Sequence, residues 1–335
     1  MKLSVIVPVY NKAPFIRECF ESIFSQSFAD FELIAVDDKS TDNSLEVLHA
    51  MRDERLRIVP LEKNLGPAGA AQRAIDLAQG EYILRVDADD INLPDRFARQ
   101  VAFMDANPNV GASGGHLQLF GGETGLWKFP LGKDDCRAEL LFGNPVVQGA
   151  SILRASLLRS KGLRFEDHWP RIGEDWIFWA RMAAHAEFGN LDHALIMYRR
   201  GEQNSMHGQD HAVYRAVIVQ EVFRMLGIPL TDEQCALHLV GLRSFQRPPD
   251  TRTLVAFRDW LDGLRVMNAQ RRLFPAAAFE RRLQRAWDQL FFALPRFGVS
   301  PALAHYRLSH VRDHGRLVYL AKYTLNRWLG RTAKR

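Results

Sequence analysis

The sequence predicts an α/β fold with a doubly wound, mainly parallel sheet flanked by helices, followed by an α-helical C-terminal region. Over the first 110 residues, short apolar runs alternate with segments whose apolar residues recur every 3.6 positions. This alternation is typical of parallel strands joined by crossover helices. Beyond His207 the periodicity is almost wholly helical, so we expect domains over residues 1–207 and 208–335.

In the first domain, strand and helix follow one another in a regular order. The predicted strands are Leu3–Tyr10, Phe31–Val36, Leu56–Pro60 and Tyr82–Val86. The predicted helices are Pro14–Ser25, one ending near Arg52, Gly66–Gln79 and, after a mixed stretch, Glu174–Ala186. We expect Gly80 to close the third helix, because glycine readily adopts the left-handed conformation of a helix C-cap.

The C-terminal region is predicted to form helices separated by glycine and proline. They are Ala212–Leu226, Asp232–Leu242 with Thr231 as N-cap, Thr251–Val266, Ala276–Leu290 and Arg307–Leu329.

Composition narrows the class of protein. The chain has 335 residues, of which 47% are hydrophobic and 25% charged, as in soluble globular proteins. Three widely spaced cysteines show no metal-ligand pattern and fit a reducing compartment. No apolar run approaches the roughly 20 residues of a transmembrane helix, and the N-terminus lacks a signal-peptide core. We therefore expect a cytoplasmic location.

The net charge of +5 is unevenly distributed. Between Phe291 and Arg335, nine Arg and Lys residues stand against one acidic residue, Asp313. Residues 312–335 combine most of these Arg and Lys residues with leucines and Trp328. This combination suits docking on the inner face of an anionic membrane. The alternative is that this helix packs on the preceding helices or on a second subunit of a homo-oligomer.

A carboxylate cluster, Asp87-Ala88-Asp89-Asp90, follows the fourth predicted strand. In an extended chain the side chains of Asp87 and Asp89 point the same way, because orientation alternates with period two. Such a pair can hold Mg²⁺ or Mn²⁺ and leave coordination sites for phosphate oxygens. The structural alternative is an acidic turn, since Asp is common in turns.

Polar residues also follow the first two predicted strands. In doubly wound sheets ligands bind at the carboxyl ends of the strands. Tyr10 offers an aromatic face, and Asp38 offers a carboxylate that can accept a hydrogen bond. Their structural alternatives are strand-end packing for Tyr10 and helix capping for Asp38.

Four motifs together resemble one known family. Ser4 to Asn11, Val36 to Asp42, Asp87 to Asp89 and Gly173 to Trp176 resemble, in order and spacing, the family 2 inverting glycosyltransferases with the GT-A fold. The resemblance covers roughly residues 1–205.

The resemblance implies a role for each motif. It places Pro8, Tyr10, Asp38 and Asp87 against the nucleotide, and Asp89 with Asp87 on a Mn²⁺ or Mg²⁺ ion. It assigns the general base to Asp175, with the neighbouring Glu174 as a second candidate. Both could instead be first-turn acids favoured by the helix dipole.

The chain departs from the family pattern at two places. The helix after Asn64-Leu65-Gly66 carries its arginine at Arg73, displaced from the usual position, so solvent exposure is favoured over a donor contact. After Met197-Tyr198-Arg199 the family often places a histidine near the metal or diphosphate, but this chain has Arg200-Gly201 and its nearest histidine is His207. Either His207 reaches the site, or Arg199 and Arg200 cover the diphosphate instead. We expect an arginine contact with the diphosphate here.

The predicted function is metal-dependent, inverting transfer of a sugar from a nucleotide-sugar to a glycan or lipid-linked acceptor in surface polysaccharide synthesis. A UDP-sugar is favoured over a dTDP- or GDP-sugar as the donor. A nucleotidyltransferase would need a glycine-rich basic loop after the first strand, which is missing. A non-catalytic nucleotide-sugar-binding assembly protein would need no general base, so the presence of Asp175 argues against it. A dehydrogenase would need a G-x-G-x-x-G motif after the first strand, and this sequence has none there. Nucleic acid is not an expected partner.

Overall fold

The computed structural model describes residues 1–201, 211–311 and 313–330. The chain divides into two compact units, Met1–Gln209 and Asp210–Arg335. None of the described helices is long and apolar enough to cross a membrane.

The first unit is built on one sheet with helices between its strands. Its strands are β1 (Leu3–Val9), β2 (Phe31–Asp37), β3 (Leu56–Pro60), β4 (Tyr82–Arg85), β5 (Ile91–Asn92), β6 (Val110–Gly121), β7 (Gly125–Trp127), β8 (Ile152–Arg154) and β9 (Glu187–Arg200). Its helices are α1 (Ala13–Phe24), α2 (Ser44–Ala50), α3 (Gly66–Leu77), α4 (Arg96–Ala106), α5 (Lys133–Glu139), α6 (Ala155–Lys161) and α7 (Glu174–Met182), with a 3₁₀ turn at Gln148–Ala150.

The sheet runs in the order β3-β2-β1-β4-β8-β6-β9-β5, and β7 pairs with β6. The first four strands are mutually parallel, as the strand–helix alternation predicts. Beyond them the sheet is mixed, because β8 runs antiparallel to both β4 and β6 while β6 and β9 are parallel. The predicted fold class is confirmed, and the carboxyl ends of β1, β2 and β4 lie at one edge.

A hydrophobic core fixes this edge. Val5 and Val7 of β1 pack with Ile16 and Phe20 of α1 and with Leu33 of β2, all with 0% exposure. The buried positions of α1 recur at helical spacing, which is why the periodicity predicted this helix correctly. Burial of each such side chain contributes about 1.5–3 kcal/mol to the stability of the fold. The residues that follow the strands are therefore attached to a rigid sheet.

Gly80 does not cap α3, and this prediction was wrong. The helix ends at Leu77, and the next residue, Ala78, is already extended. The amide of Gly80 instead donates a 2.8 Å hydrogen bond to Ser4 Oγ. A Cβ on Gly80 would lie 2.6 Å from the backbone nitrogen of Ser4, so glycine here permits a close approach of two chain segments.

The second unit is helical. Its helices are α8 (His211–Met225), α9 (Asp232–Gly241), α10 (Thr251–Arg271), α11 (Ala276–Ala293), α12 (Val299–Leu308) and α13 (His314–Trp328), with a 3₁₀ turn at Leu294–Phe297. Thr231 caps α9 as predicted: its hydroxyl accepts from the Gln234 amide at 3.2 Å, and the Gln234 side chain accepts from the Thr231 amide at 3.0 Å.

The predicted single helix Arg307–Leu329 is two helices, α12 and α13. The Ser309 hydroxyl accepts a 2.9 Å hydrogen bond from the Trp287 indole, and the Ser309 backbone is extended. Asp313 then begins a new helix by accepting the Gly315 amide at 2.8 Å. A contact with α11 therefore ends α12 where the local periodicity would have continued it.

Candidate active site

The carboxyl end of β1 carries two of the predicted nucleotide contacts. Pro8 lies opposite Val36 of β2 and beyond Ile6, the last residue of β1 that pairs with β4. A proline is tolerated there because no partner on the β4 side needs its missing N–H. Tyr10 follows the strand, and 45% of its surface is exposed. Its ring is accessible for stacking on a flat heterocycle.

Asp38, after β2, is buried and holds the loop that enters α3. One carboxylate oxygen accepts the Leu65 amide at 2.6 Å, and the other accepts the Gly66 amide at 2.9 Å. Burial raises the pKa of Asp38, and the two amide hydrogen bonds oppose that rise. Each carboxylate oxygen has a second lone pair, so these bonds leave capacity for a hydrogen bond from a ligand.

The arginine nearest to this loop is Arg171, which sequence analysis did not single out. Its guanidinium donates to the Asn64 side chain at 3.2 Å. It lies against Gly66, and its positive charge lowers the pKa of Asp38. Arg73 is exposed on α3, as expected from its displaced position in the motif.

Asp87 to Asp90 form a turn, and the extended geometry assumed for this motif was wrong. β4 ends at Arg85, and the Asp90 amide donates to the Asp87 carbonyl at 3.1 Å. The alternation of side chains along a strand therefore does not determine how Asp87 and Asp89 are oriented. The backbone of the turn determines it.

Asp87 is held between an arginine and a loop. The Arg85 Nε donates to its carboxylate at 3.2 Å. On the other side, an added Cβ on Gly149 would lie 2.8 Å from Asp87 Cγ and closer still to Oδ2. Glycine at position 149 thus lets the loop between α5 and β8 approach the carboxylate. The Asp87 side chain remains 35% exposed.

Asp89 is more buried, with 11% of its side chain exposed, and it forms an ion pair with Lys12. The Lys12 Nζ lies 2.6 Å from Asp89 Oδ2. This contact ties the segment after β1, which carries the predicted nucleotide contacts, to the carboxylate turn after β4.

Arg199 organises the same turn from β9. Its backbone amide donates to Asp90 Oδ1 at 2.9 Å, and its Nε donates to the Asp89 carbonyl at 2.9 Å. The guanidinium also contacts Glu18 and lies 4.4 Å from the centre of the Phe120 ring. Arg199 therefore has a structural role in this arrangement, beside the diphosphate contact that the resemblance suggested.

The other two candidates in this part of the sequence differ in their surroundings. Arg200 forms an ion pair with Glu123, with Nε and a carboxylate oxygen 3.4 Å apart. His207 lies outside the described residues.

Asp175 lies in the first turn of α7, which begins after Gly173 in a left-handed conformation with φ of 77°. Asn144 donates a 2.6 Å hydrogen bond to Asp175 Oδ2, and the Trp176 amide donates to Oδ1 at 2.8 Å. The side chain is thereby fixed from two sides. Glu174, the preceding residue, is buried.

The two adjacent carboxyl groups differ electrostatically. Burial raises the pKa of Glu174, and the negative charge of Asp175 raises it further. Burial also raises the pKa of Asp175, but the Trp176 amide and the charge of Arg85 oppose that rise. Both carboxyl groups therefore keep their protons to higher pH than a free carboxyl group does. A carboxylate with a raised pKa is suited to accept a proton near neutral pH.

The residues present fit a divalent cation that shares its ligands with a substrate. Among the described residues, no three His, Cys, Asp or Glu side chains cluster as a closed metal site. Asp87 and Asp89 provide two hard oxygen donors on one turn. Mg²⁺ and Mn²⁺ sites in proteins commonly use one or two carboxylates, with phosphate oxygens and water completing the shell.

Sequence analysis missed Lys12, Arg85, Asn144, Gly149 and Arg171. Asn144 lies in Gly143-Asn144-Pro145, a pattern that indicates only a loop. Asn144 is 31 positions away from Asp175 in the sequence, and Arg171 is 107 positions away from Asn64. Such contacts leave no local signal in the sequence.

Comparisons with known proteins identify the family and the fold. The family model "Glycosyl transferase family 2" matches residues 4–159. The chain is similar to an uncharacterized glycosyltransferase of Haemophilus influenzae, with 32% identity over 217 residues, which are 61% of this chain and 67% of the relative. It is 30% identical over 205 residues to the amylovoran biosynthesis glycosyltransferase AmsE of Erwinia amylovora, covering 59% of this chain and 76% of AmsE.

Among solved structures, the fold is similar to that of S. aureus TarS 1-349, which was crystallised in complex with UDP-GlcNAc. The TM-score is 0.55 at 20% sequence identity, and the match covers 100% of this chain and 93% of that one. At this identity the similarity concerns the fold.

Proposed function

This chain belongs to glycosyl transferase family 2 and has the GT-A fold, and from that premise we propose that it is an inverting, metal-dependent glycosyltransferase. The proposed donor is a nucleotide-sugar, with UDP as the nucleotide. The proposed acceptor is a hydroxyl of a glycan or lipid-linked sugar in surface polysaccharide synthesis. The relative AmsE is named an amylovoran biosynthesis glycosyltransferase, and this name supports a proposed role in polysaccharide synthesis.

The observation that carries this proposal is the fixed carboxylate of Asp175. Its two hydrogen bonds, from Asn144 at 2.6 Å and from the Trp176 amide at 2.8 Å, hold both oxygens in place. A positioned carboxylate can take the proton of an acceptor hydroxyl as that oxygen attacks the anomeric carbon. In the proposed reaction the new C–O bond forms while the bond to the nucleoside diphosphate breaks, and the proton goes to Asp175.

One base and one displacement invert the anomeric carbon. A retaining mechanism through a covalent intermediate would need a second carboxylate as nucleophile. The neighbouring carboxyl, Glu174, is buried and its raised pKa favours the protonated form, which is a poor nucleophile. The electrostatic difference between the two residues therefore supports inversion.

In the proposed donor site, Tyr10 stacks on the base and Asp38 accepts a base N–H. The 45% exposure of Tyr10 supports the first contact. Asp38 would bind the base while it also holds the amides of Leu65 and Gly66, so the donor pocket and the start of α3 would be coupled. Pro8 and Asp87 complete this proposed contact set.

Asp89 and Asp87 would hold the Mn²⁺ or Mg²⁺ ion on the diphosphate. When bound, such an ion acts as a Lewis acid that offsets the charge of the departing nucleoside diphosphate. Lys12, 2.6 Å from Asp89 Oδ2, places a second positive charge beside this position.

A turnover assay with a panel of UDP-, dTDP- and GDP-sugars, each with Mn²⁺ or Mg²⁺, tests the proposal. We expect nucleoside diphosphate release from one nucleotide class, and loss of that release in Asp175→Asn. If no nucleotide-sugar is turned over and calorimetry detects no nucleoside diphosphate binding, the proposed function is wrong. NMR of the first product tests stereochemistry separately, because an anomer retained from the donor contradicts the inverting mechanism.

A further inference from the structure

Helix α13 has two different faces. Its inner face packs within the second unit: Leu320 is 5% exposed, and Arg316 forms a 2.6 Å ion pair with Asp288 of α11. The ring of Tyr319 lies 5.0 Å from that of Phe292. These contacts fix the orientation of the helix about its own axis.

The outer face of α13 is apolar and exposed. Val318, Leu325, Trp328 and Leu329 recur at the spacing that places residues on one side of a helix. Their exposed fractions are 54%, 54%, 81% and 43%, respectively. Isolated exposed apolar residues are ordinary, but a stripe of four on one side of a helix, with Lys322 between Val318 and Leu325 and an 81% exposed tryptophan near its end, marks an interaction surface.

The charge around this stripe is positive. Among the described residues from Val299 onward, Arg307, Arg316, Lys322 and Arg327 are basic and Asp313 alone is acidic. Asp313 caps α13 through the Gly315 amide, and Arg316 is paired with Asp288 of α11. Lys322 and Arg327 are exposed on α13 itself and supply the positive charge beside the stripe.

We propose that the outer face of α13, defined by Val318, Leu325, Trp328 and Leu329, docks the protein on an anionic lipid bilayer. Leucine and tryptophan side chains enter the boundary between headgroups and acyl chains, while lysine and arginine pair with acidic headgroups. This inference goes beyond the proposed function, since it holds whichever donor is used. It would place the enzyme on the surface that presents lipid-linked acceptors.

Charge favours a bilayer over a second copy of this chain. In an association of two copies through this face, two basic helices would meet, and like charges brought together are repelled. An anionic bilayer supplies the opposite charge.

Sedimentation of the full chain with vesicles tests the proposal. The vesicles contain phosphatidylcholine alone or phosphatidylcholine mixed with phosphatidylglycerol. We expect binding to the anionic vesicles only, and weaker binding as the ionic strength rises from about 0.05 to about 0.5 M. The double variant Leu325→Ser/Trp328→Ser should lower the partition coefficient by roughly tenfold or more, because two large apolar side chains no longer enter the interface.

The matched control is Val217→Ser/Val266→Ser, which removes two apolar side chains of similar exposure, 45% and 58%, from α8 and α10. This variant should bind vesicles as the wild type does. All four altered side chains are largely exposed, so thermal unfolding should be unchanged in both variants.

Equal binding by the two double variants, or no binding of the wild type to anionic vesicles at low salt, overturns the proposal. A further result against it is a wild-type dimer, measured by light scattering, that Leu325→Ser/Trp328→Ser converts to a monomer without any vesicle binding. That outcome would assign the face to a subunit interface. None of these results depends on nucleotide-sugar turnover, so this proposal and the proposed function fail independently.

Discussion

The side-chain amide of Asn144 donates a 2.6 Å hydrogen bond to Oδ2 of Asp175, the carboxylate proposed as the general base. This bond lowers the pKa of Asp175 and opposes the larger effect of burial, which raises it. The loop between α5 and β8 thus contributes to both the orientation and the basicity of the residue. The same loop brings Gly149 against Asp87 and so touches the proposed base and the proposed donor contact.

Replacing Asn144 with alanine should shift the pH dependence of transfer. Without the hydrogen bond, the folded-state pKa of Asp175 rises, so a larger fraction of the base is protonated and inactive at a given pH. The acidic limb of the kcat profile should therefore move to higher pH, with nucleoside diphosphate affinity unchanged. Asn109→Ala, at an exposed position, is the control. An unshifted limb in Asn144→Ala would mean that Asn144 does not tune the base.

Replacing Asp38 with alanine should weaken both the fold and nucleotide binding. The buried amide of Gly66 and the partly buried amide of Leu65 lose their acceptor, which costs about 1–3 kcal/mol of unfolding free energy. Loss of a charged hydrogen-bond acceptor for the base should cost a further 1.5–3 kcal/mol, roughly, in UDP binding. Urea unfolding and calorimetry measure the two effects. Lower stability with unchanged affinity for UDP and other nucleotides would leave Asp38 with only its role in the loop.

Chelation of divalent cations should abolish turnover, and Asp89→Ala should reproduce the loss at saturating metal. Metal stabilisation of the leaving diphosphate is worth several kcal/mol, so we expect a decrease of more than about 10²-fold in kcat. Asp95→Ala, which removes only an exposed ion pair with Arg99, is the control. Full activity in excess chelator would exclude a metal-dependent mechanism.

Gly149→Ala should impair catalysis without unfolding the protein. The added Cβ would lie 2.8 Å from Asp87 Cγ, so the carboxylate must move. Misplacement of a reacting or binding group by about 1 Å can cost up to about 10²-fold in rate. Gly132→Ala, where an added Cβ meets nothing within 4 Å, should retain activity. Equal kcat values for both variants would show that the loop tolerates a side chain next to Asp87.

Local periodicity predicted most elements of the first unit, because the alternation of apolar residues reflects burial against one sheet. The end of α1 is predicted to within one residue, at Ser25 against Phe24. The strand-end positions of Tyr10 and Asp38 follow from parallel topology, which brings the carboxyl ends of consecutive strands to one edge. These predictions need only the order of apolar and polar residues along the sequence.

Two of the errors, at Gly80 and in the helix Arg307–Leu329, have a common physical cause. The position of Gly80 is determined by its close approach to Ser4. The break before α13 is determined partly by the hydrogen bond from the Trp287 indole to Ser309. Each is a tertiary contact that overrides a local preference. The hydrogen bond from Asn144 to Asp175 belongs to the same class. Sequence analysis located the carboxylates of the candidate site but could not identify the residues that orient them.

The central claim is that Asp175, and not the adjacent Glu174, takes the proton of the acceptor. The kcat values of Asp175→Asn and Glu174→Gln, measured at neutral pH with saturating nucleotide-sugar, test it most directly. Both substitutions keep the shape of the side chain and remove its charge. We predict a loss of about 10²–10⁴-fold for Asp175→Asn and a much smaller loss for Glu174→Gln, with both variants folded and binding nucleoside diphosphate as the wild type does. A near-normal kcat in Asp175→Asn with a large loss in Glu174→Gln would contradict the assignment and move the base to Glu174.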